Sequence, residues 1–441
     1  IYTLSLHDAL PILLNGKTQE VEILTLEDCL RIGIDNNLSL EGKRKEIQKS
    51  KYGVSENRSK LLPQINAIAG YNNNFDPPVS VTDGSSYGVP YNITKTLQHS
   101  ANAGLEMQMP LFNQTLYTSM SIAKVMEEIS RLSYGKARED VILQISKMYY
   151  LGQVTAEQIM LIKANITRLE ELRDITQAFF DNGMSMEVDL KRVNINLENL
   201  KVQYDNAQAM MKQQLNMLKY IMDYPAEKEI ALTPVNTDSI TTVALTGLSE
   251  NIYELQLSQS QVQLAERQKK IITNGYIPSL SLTGSWRYAA YTDKGYHWFH
   301  SGPSNQWFRS YGVGLTLRIP IFDGLDKTYK IKKAMIDIEN KRLAWEDARK
   351  NLQTQYLNAV NDLMNNQRNF KKQKDNYLLA EDVYAVTSDR YREGIASMTE
   401  VLQDEMQMSE AQNNYISAHY NYRVTNLMLL KLTGQIESLV K

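Results

Sequence analysis

The chain repeats itself once, at an offset of about 210–215 residues, and nothing else in it limits the fold as strongly. Leu62-Pro63-Gln64-Ile65 recurs as Ile277-Pro278-Ser279-Leu280. Met109-Pro110-Leu111-Phe112-Asn113 recurs as Ile319-Pro320-Ile321-Phe322-Asp323, and Phe180-Asp181-Asn182-Gly183 as Tyr391-Arg392-Glu393-Gly394. Order and spacing are both kept, so one architecture is built twice, over about 24–222 and 251–434.

Each half opens with a pair of strand-like segments. Over 279–290, Leu280, Leu282, Trp286 and Tyr288 alternate with Ser281, Thr283, Ser285 and Arg287. Over 311–322, Val313, Leu315, Leu317 and Ile319 alternate with Gly314, Thr316 and Arg318. In the first half, 100–112 interleaves Ala101, Ala103, Leu105, Met107 and Met109 with Asn102, Gly104, Glu106 and Gln108, and Ile65, Ala67, Ala69 and Tyr71 mark a partner over 64–75. Period two puts one row on each face of a sheet. A soluble half-buried sheet alternates identically. Length points instead to a membrane, because runs of about 9–12 residues match tilted strands that cross a bilayer. Long polar or aromatic excursions join the strands within each pair: Asn73–Ser100, and Thr292–Ser310 with Trp298, Phe299, Trp307 and Phe308. Such loops suit an outer interface. Four strands cannot close a barrel, and open edges are not viable in lipid, so other copies of the chain must complete it. Three copies give twelve strands, enough to hold a channel.

The remainder reads as helix. The proline-free stretches Gln114–Asn182 and Lys327–Glu393 would each span about 100 Å as helices. Met184–Met222 with Asn251–Gly275, and Ile395–Thr433 with Leu24–Lys60, supply shorter returning helices, interrupted at Asp223–Leu248 by Pro225 and Pro234. Tyr356, Leu363, Phe370, Tyr377, Tyr384 and Tyr391 fall at steps of seven, the spacing of a coiled-coil seam. The expected fold is therefore mainly α with a transmembrane β part: four strands and long antiparallel coiled-coil helices per chain, trimerising into a 12-stranded β-barrel on an α-helical barrel.

Composition removes other classes. A net charge of −2 over 441 residues excludes a strongly basic nucleic-acid binder, and 43% hydrophobic residues exclude global disorder. No stretch approaches the 18 apolar residues of a spanning helix; Val424–Leu432, around Lys431, is far too short. One cysteine makes neither an internal disulfide nor a cysteine zinc site. Cys29 follows Thr25, a fitting helix N-cap, and Glu27 and Asp28, fitting first-turn residues, so it reads as a buried helical thiol rather than a lipid anchor. Ile1–Ile12 matches nothing that follows and resembles a translated sequencing-library adapter; a weak amphipathic segment is the structural alternative. On the adapter reading, native sequence resumes near Leu13, and the segment carries no information about export.

The order of strand pair, long helix, glycine turn and broken returning helix, repeated twice, resembles the TolC-like family of outer-membrane efflux proteins from Leu24 to about Gly434. The Met-Pro-Leu-Phe and Ile-Pro-Ile-Phe-Asp-Gly junctions carry this likeness through Pro110, Phe112, Pro320 and Phe322. The resemblance implies a homotrimer in the outer membrane of a Gram-negative bacterium, in contact with outer-membrane lipid, with a long periplasmic portion. It implies an exit duct for a tripartite efflux pump, or for type I protein secretion. The partners would be a periplasmic adaptor (membrane fusion) protein and, through it, an inner-membrane pump of RND or ABC type. A non-conducting coiled-coil scaffold is the alternative of another class.

The turns at Asn182-Gly183-Met184-Ser185 and Glu393-Gly394-Ile395-Ala396-Ser397 reverse long helices. Glycine relieves the left-handed residue that ends a helix, and Ser185 and Ser397 can cap the next. Met184, Met186, Ile395 and Met398 are expected to make an apolar tip. By resemblance, Gly183, Met184, Ser185, Gly394, Ile395 and Ser397 meet the adaptor. By the same resemblance, Asp189 and Tyr391 form a periplasmic gate pair, while Glu400 and Gln403 narrow the entrance. Gln403 stands where the family carries a second aspartate, and Ala396 replaces a bracing arginine for which Arg390 and Arg392 are the candidate substitutes. A helical hairpin with solvated polar faces is the plainer reading of the same residues.

No HExxH, P-loop, GxSxG or spaced Cys/His cluster occurs, so catalysis, a cofactor and a resident metal are not expected. His297 and His300 flank loop aromatics and read as surface features, and His419 stands alone in a helix.

Overall fold

The structure is a computed structural model that describes residues 21–83, 85–234, 247–293 and 306–440. The adapter-like segment, His297, Trp298, Phe299, His300 and much of the 223–248 interruption lie outside the described residues. In chain order the elements are β1 (Glu22–Leu24), α1 (Leu26–Asn36), α2 (Leu38–Ser59), β2 (Gln64–Asn73), β3 (Val79–Asp83), β4 (Tyr91–Lys95) and β5 (His99–Phe112). They continue with α3 (Gln114–Asp181), α4 (Glu187–Met222), β6 (Ile230–Leu232), α5 (Tyr253–Asn274), β7 (Ser279–Thr292), β8 (Trp307–Arg318), α6 (Asp326–Arg392) and α7 (Met398–Leu432). Among the described residues, no helix is long and apolar enough to cross a membrane.

Two compact units emerge. One, Lys45–Leu132 with Gln256–Glu346, holds the antiparallel sheet β2-β5-β7-β8. Its register converts the alternation of each strand into two continuous faces. Ile65–Met107–Gly284–Val313 and Ala67–Leu105–Trp286–Tyr311 line up across all four strands on one face. Gln64–Gln108–Thr283–Gly314 and Asn66–Glu106–Ser285–Gly312 line up on the other, where Arg287 pairs with Glu106. Tyr311 and Val313 are 77% and 80% exposed, so the chain leaves these apolar side chains uncovered. β2 and β8 form the sheet's outer edges.

Two features of this unit differ from the sequence reading. The excursion Asn73–Ser100 contains a hairpin, β3 with β4, because Val79, Val81 and Ile93 alternate with Ser80, Thr82, Asn92 and Thr94. The fourth strand begins at Trp307 and stops at Arg318, short of Phe322. Pro110 lies within β5, inside the strand expected over 100–112. β2 pairs only as far as Gln108, and the ladder to β7 shifts between Pro110 and Phe112; such an irregular edge tolerates proline's missing donor.

The other unit takes in the chain up to Arg44, Ser133–Leu255 and the residues from Asp347 onward. Here the expected helix over Leu24–Lys60 is two helices, since Asn37 closes α1 through its N–H on Gly33 and opens α2 through Oδ1 on the Leu40 N–H. Thr25 and Asp28 form a reciprocal capping box, and Cys29 is buried, its thiol pushed up to about 12 mainly by desolvation. Two short strands escaped the sequence reading: β1 and β6 pair in parallel, and the buried Tyr149 hydroxyl donates to Leu24 O at 3.2 Å. Three residues carry too little alternation to announce a strand.

The seven-step seam is realised. Tyr384 and Tyr391 are buried, the other four are half-buried, and Phe370 and Tyr377 stack on Tyr415 of α7 with ring centroids 5.8 and 5.7 Å away. His419 is fully buried beside Phe370, and its Nε2 accepts from Arg423 Nε at 3.0 Å.

A second polar cluster surrounds Glu139 on α3. Lys431 Nζ reaches Asp140 Oδ1 at 2.5 Å, and Arg138 reaches Glu437 at 2.9 Å, leaving the buried Glu139 without a close ion pair among the described residues. Desolvation pushes its carboxyl up to about 7; Lys431 opposes this, and Glu437 and Asp140 add to it. The folded state therefore holds this proton more tightly than the unfolded chain, whose ordinary value is 4.5, and stability falls as pH rises from about 4.5 to about 7. Glu139→Gln removes that loss: its melting temperature should match wild type near pH 4.5 and exceed it increasingly up to pH 7. A difference constant across that range would contradict the assignment.

Candidate functional site

The two long helices end in the same way. At α3, the Gly183 N–H donates to Phe180 O at 2.9 Å and the Met184 N–H to Phe179 O at 2.7 Å. At α6, the Gly394 N–H donates to Tyr391 O at 2.9 Å and the Ile395 N–H to Arg390 O at 2.8 Å. Both are Schellman closures, and both need the left-handed residue that Gly183 (φ 73°) and Gly394 (φ 75°) provide. Met184, Met186 and Ile395, 62–69% exposed, form the apolar tip surface.

The helices that follow start differently. Ser397 Oγ accepts from the Glu400 N–H at 3.3 Å, and Glu400 Oε2 accepts from the Ser397 N–H at 2.8 Å, a complete capping box. These bonds hold the Glu400 carboxyl below its ordinary range. Ser185 does not cap α4: Met186 is the N-cap without a side-chain bond, and Ser185 Oγ is buried with no partner. The reason is one of position: both turns place the N-cap three residues after the glycine, at Met186 and Ser397, and Ser185 stands one residue before it. Met398, expected at the tip, is 3% exposed. Capping by Ser397 makes it the first residue of α7, where Met398, Val401 and Leu402 repeat at helical spacing and face inward.

Beneath the tips, Leu169 and Leu172 of α3, Val193 and Leu197 of α4, Tyr384 and Tyr391 of α6, and Val401 and Met408 of α7 share one core cluster. Within one chain the structure does not join Asp189 to Tyr391. The buried Tyr391 hydroxyl donates to Thr176 Oγ1 at 3.3 Å, and its ring lies 5.7 Å from that of Phe179. Asp189 accepts from Arg192 at 3.3 Å, and the same Arg192 nitrogen donates to Thr399 Oγ1 at 3.3 Å. Arg192 thus ties the start of α4 to the start of α7. Sequence reasoning missed it, although an acid followed three residues later by arginine is a helix pair legible by spacing. Gln403 is exposed one turn beyond Glu400. Of the two candidate bracing arginines, Arg392 contacts Glu171 at 3.4 Å and Asp389 at 3.7 Å.

The strand-to-helix junctions repeat as chemistry too. Asn113 Oδ1 accepts from the Thr115 N–H at 3.0 Å to open α3, and Asp323 Oδ2 accepts from the Lys327 N–H at 3.2 Å to open α6. Around them Phe112 is 42% exposed and Phe322 81%; Pro320 lies just past β8.

Comparison with known proteins bears on this arrangement. The Outer membrane efflux protein family matches residues 32–222 and 244–435. The chain belongs to that family, whose members are channels and not enzymes. It is 21% identical over 399 residues to the outer membrane protein TolC of Vibrio cholerae, covering 87% of this chain and 84% of the relative. To the toluene efflux pump outer membrane protein TtgC of Pseudomonas putida it is 23% identical over 379 residues, covering 81% and 75%. Its fold is that of solved outer-membrane channels. The TM-score is 0.77 to CusC, at 15% identity with 96% of this chain and 95% of that one covered. It is 0.73 to the open state of Neisseria gonorrhoeae MtrE, at 19% identity with 93% and 88% covered.

The unequal caps give a test. Ser397→Ala should lower the local stability of the first turn of α7 by about 1 kcal/mol. Ser185→Ala, which removes a buried hydroxyl without a partner, should be neutral or slightly stabilising. Hydrogen exchange of the amides at 399–401 and 187–190 separates the two outcomes.

Proposed function

We propose that three copies of this chain close a 12-stranded barrel in the outer membrane of a Gram-negative bacterium and act as the exit duct of a tripartite efflux pump. The observation that carries this reading is the two-faced sheet: an apolar face left uncovered, a polar face able to line water, and two edges needing partners. Helices continue from the sheet into the periplasm, where the tips at Gly183, Met184, Ser185, Gly394, Ile395 and Ser397 meet an adaptor protein. That adaptor links the duct to an inner-membrane pump of RND or ABC type. Relatives named as efflux pump outer membrane proteins favour efflux over protein secretion.

The gate in this reading is the set Asp189, Tyr391, Glu400 and Gln403, joined by Arg192. Arg192 holds α4 to α7 through Asp189 and Thr399, and separating these helices would widen the inner mouth. Glu400 carboxylates gathered around a threefold axis would favour cations there. The Arg192 contacts are solvent-exposed and worth about 0.2–1 kcal/mol, so losing them should shift the closed–open balance by up to about fivefold. The neutral but buried bond from Tyr391 to Thr176 is worth a comparable amount, about 1 kcal/mol.

Single-channel conductance of the purified full chain in a planar bilayer tests both claims. Wild type should conduct weakly; Arg192→Ala, Asp189→Ala and Tyr391→Phe should each raise the open fraction by up to about fivefold. No conductance from folded protein would favour the scaffold reading. Conductance that is equal in all four proteins would remove the gate from these residues.

A further inference from the structure

The apolar face of the sheet carries a single charged side chain among its described residues, Arg309 of β8. It lies directly opposite Tyr288, between Trp307 and Tyr311 along its own strand, with Trp286 opposite Tyr311. Its guanidinium carbon lies 5.9 Å from the centroid of the Tyr311 ring, and the Trp286 and Tyr288 rings meet edge to face at 5.6 Å. No carboxylate pairs with it among the described residues.

Depth gives this position meaning. From the helix end of the sheet outward, the rows Leu280–Leu317, Leu282–Leu315 and Gly284–Val313 are aliphatic or bare. The Trp286–Tyr311 row is aromatic, Tyr288–Arg309 follows, and Ala290–Trp307 is next. With strands tilted about 40°, Arg309 stands roughly 20 Å beyond Leu317 along the membrane normal, near the rim of an apolar band about 25 Å tall. An arginine at the midplane would be strongly unfavourable; within an aromatic girdle its head reaches the headgroup layer. Its planar fork matches phosphate oxygens bidentately, which the point charge of a lysine cannot do. The outer leaflet of a Gram-negative outer membrane is built from phosphorylated glycolipid.

We propose that Arg309, with the hydroxyls of Tyr288 and Tyr311, binds a phosphate on the headgroup of an outer-leaflet lipid. The proposal rests on the reading of the sheet as a barrel wall whose loop end faces outward. It makes this girdle a specific lipid site rather than a generally apolar one, and it places the site on the edge strand, where bound lipid would bear on the seam between neighbouring copies.

The test uses purified full-length wild type, Arg309→Gln and Arg309→Lys in uncharged maltoside micelles. Each is titrated with diphosphorylated lipid A, with the dephosphorylated lipid carrying the same acyl chains, and with inorganic phosphate, and retained lipid is read by native mass spectrometry. Wild type should retain the diphosphorylated lipid about fivefold to tenfold more tightly than Arg309→Gln, with Arg309→Lys between them. The dephosphorylated lipid should not distinguish the three. Equal retention of the diphosphorylated lipid by wild type and Arg309→Gln would overturn the proposal. So would displacement of the lipid by millimolar inorganic phosphate, which would indicate a free-anion site. Partition of the wild type into vesicles is measured alongside: its failure would overturn the barrel reading itself, whereas partition with no phosphate preference removes only the lipid site.

Discussion

A backbone amide or carbonyl left unpaired in hydrocarbon costs several kcal/mol, and the four-stranded sheet presents two edges' worth of them. Within the sheet every strand has found its neighbour, and the register gathers apolar side chains on one face and polar ones on the other. In water that apolar face would need a covering layer of the chain's own making. Tyr311, Val313 and Leu315 have none. One environment accepts both an uncovered apolar face and a polar face opposite, and it does so only when the edges are closed by further strands.

The helical part answers to a different constraint, the reversal of long helices without unsatisfied carbonyls. Both halves use the same glycine-ended closure, and both open their long helices with an Asn or Asp side chain at corresponding positions. The halves diverge where the returning helices begin. Ser397 and Glu400 cap each other, while Ser185 caps nothing and Arg192 reaches across to Thr399. A duplicated architecture has thus kept its turns and altered the contacts next to them.

Much of this was legible from residue order alone. Strands announce themselves by alternation over about ten residues, and the long helices by the absence of proline and a seven-step seam, so their bounds fall within a few residues of the structure. The capping box at Thr25 and the glycine turns could be read for the same reason: local chemistry dictates them. What escaped depended on contacts distant in sequence or on very short elements. The β1–β6 pair joins segments about 200 residues apart, Tyr391 bonds to Thr176 on α3, and His419 packs against Phe370 on α6. Met398 was expected on the apolar tip because it follows the turn directly, although Met398, Val401 and Leu402 fall at the spacing of an inward helical stripe. Pro110 shows the converse, a strong strand breaker accommodated because its neighbour strand had already ended.

Closure by neighbouring copies is the claim on which the rest depends. It is tested most directly by cysteine pairs, one on β2 and one on β8, introduced into a Cys29→Ala chain and oxidised in native outer membranes. The account predicts cross-links between chains at pairs sharing one register, with a ladder that ends at three subunits. Chains that remain monomeric at every pair, or that cross-link into ladders without an end, would contradict it.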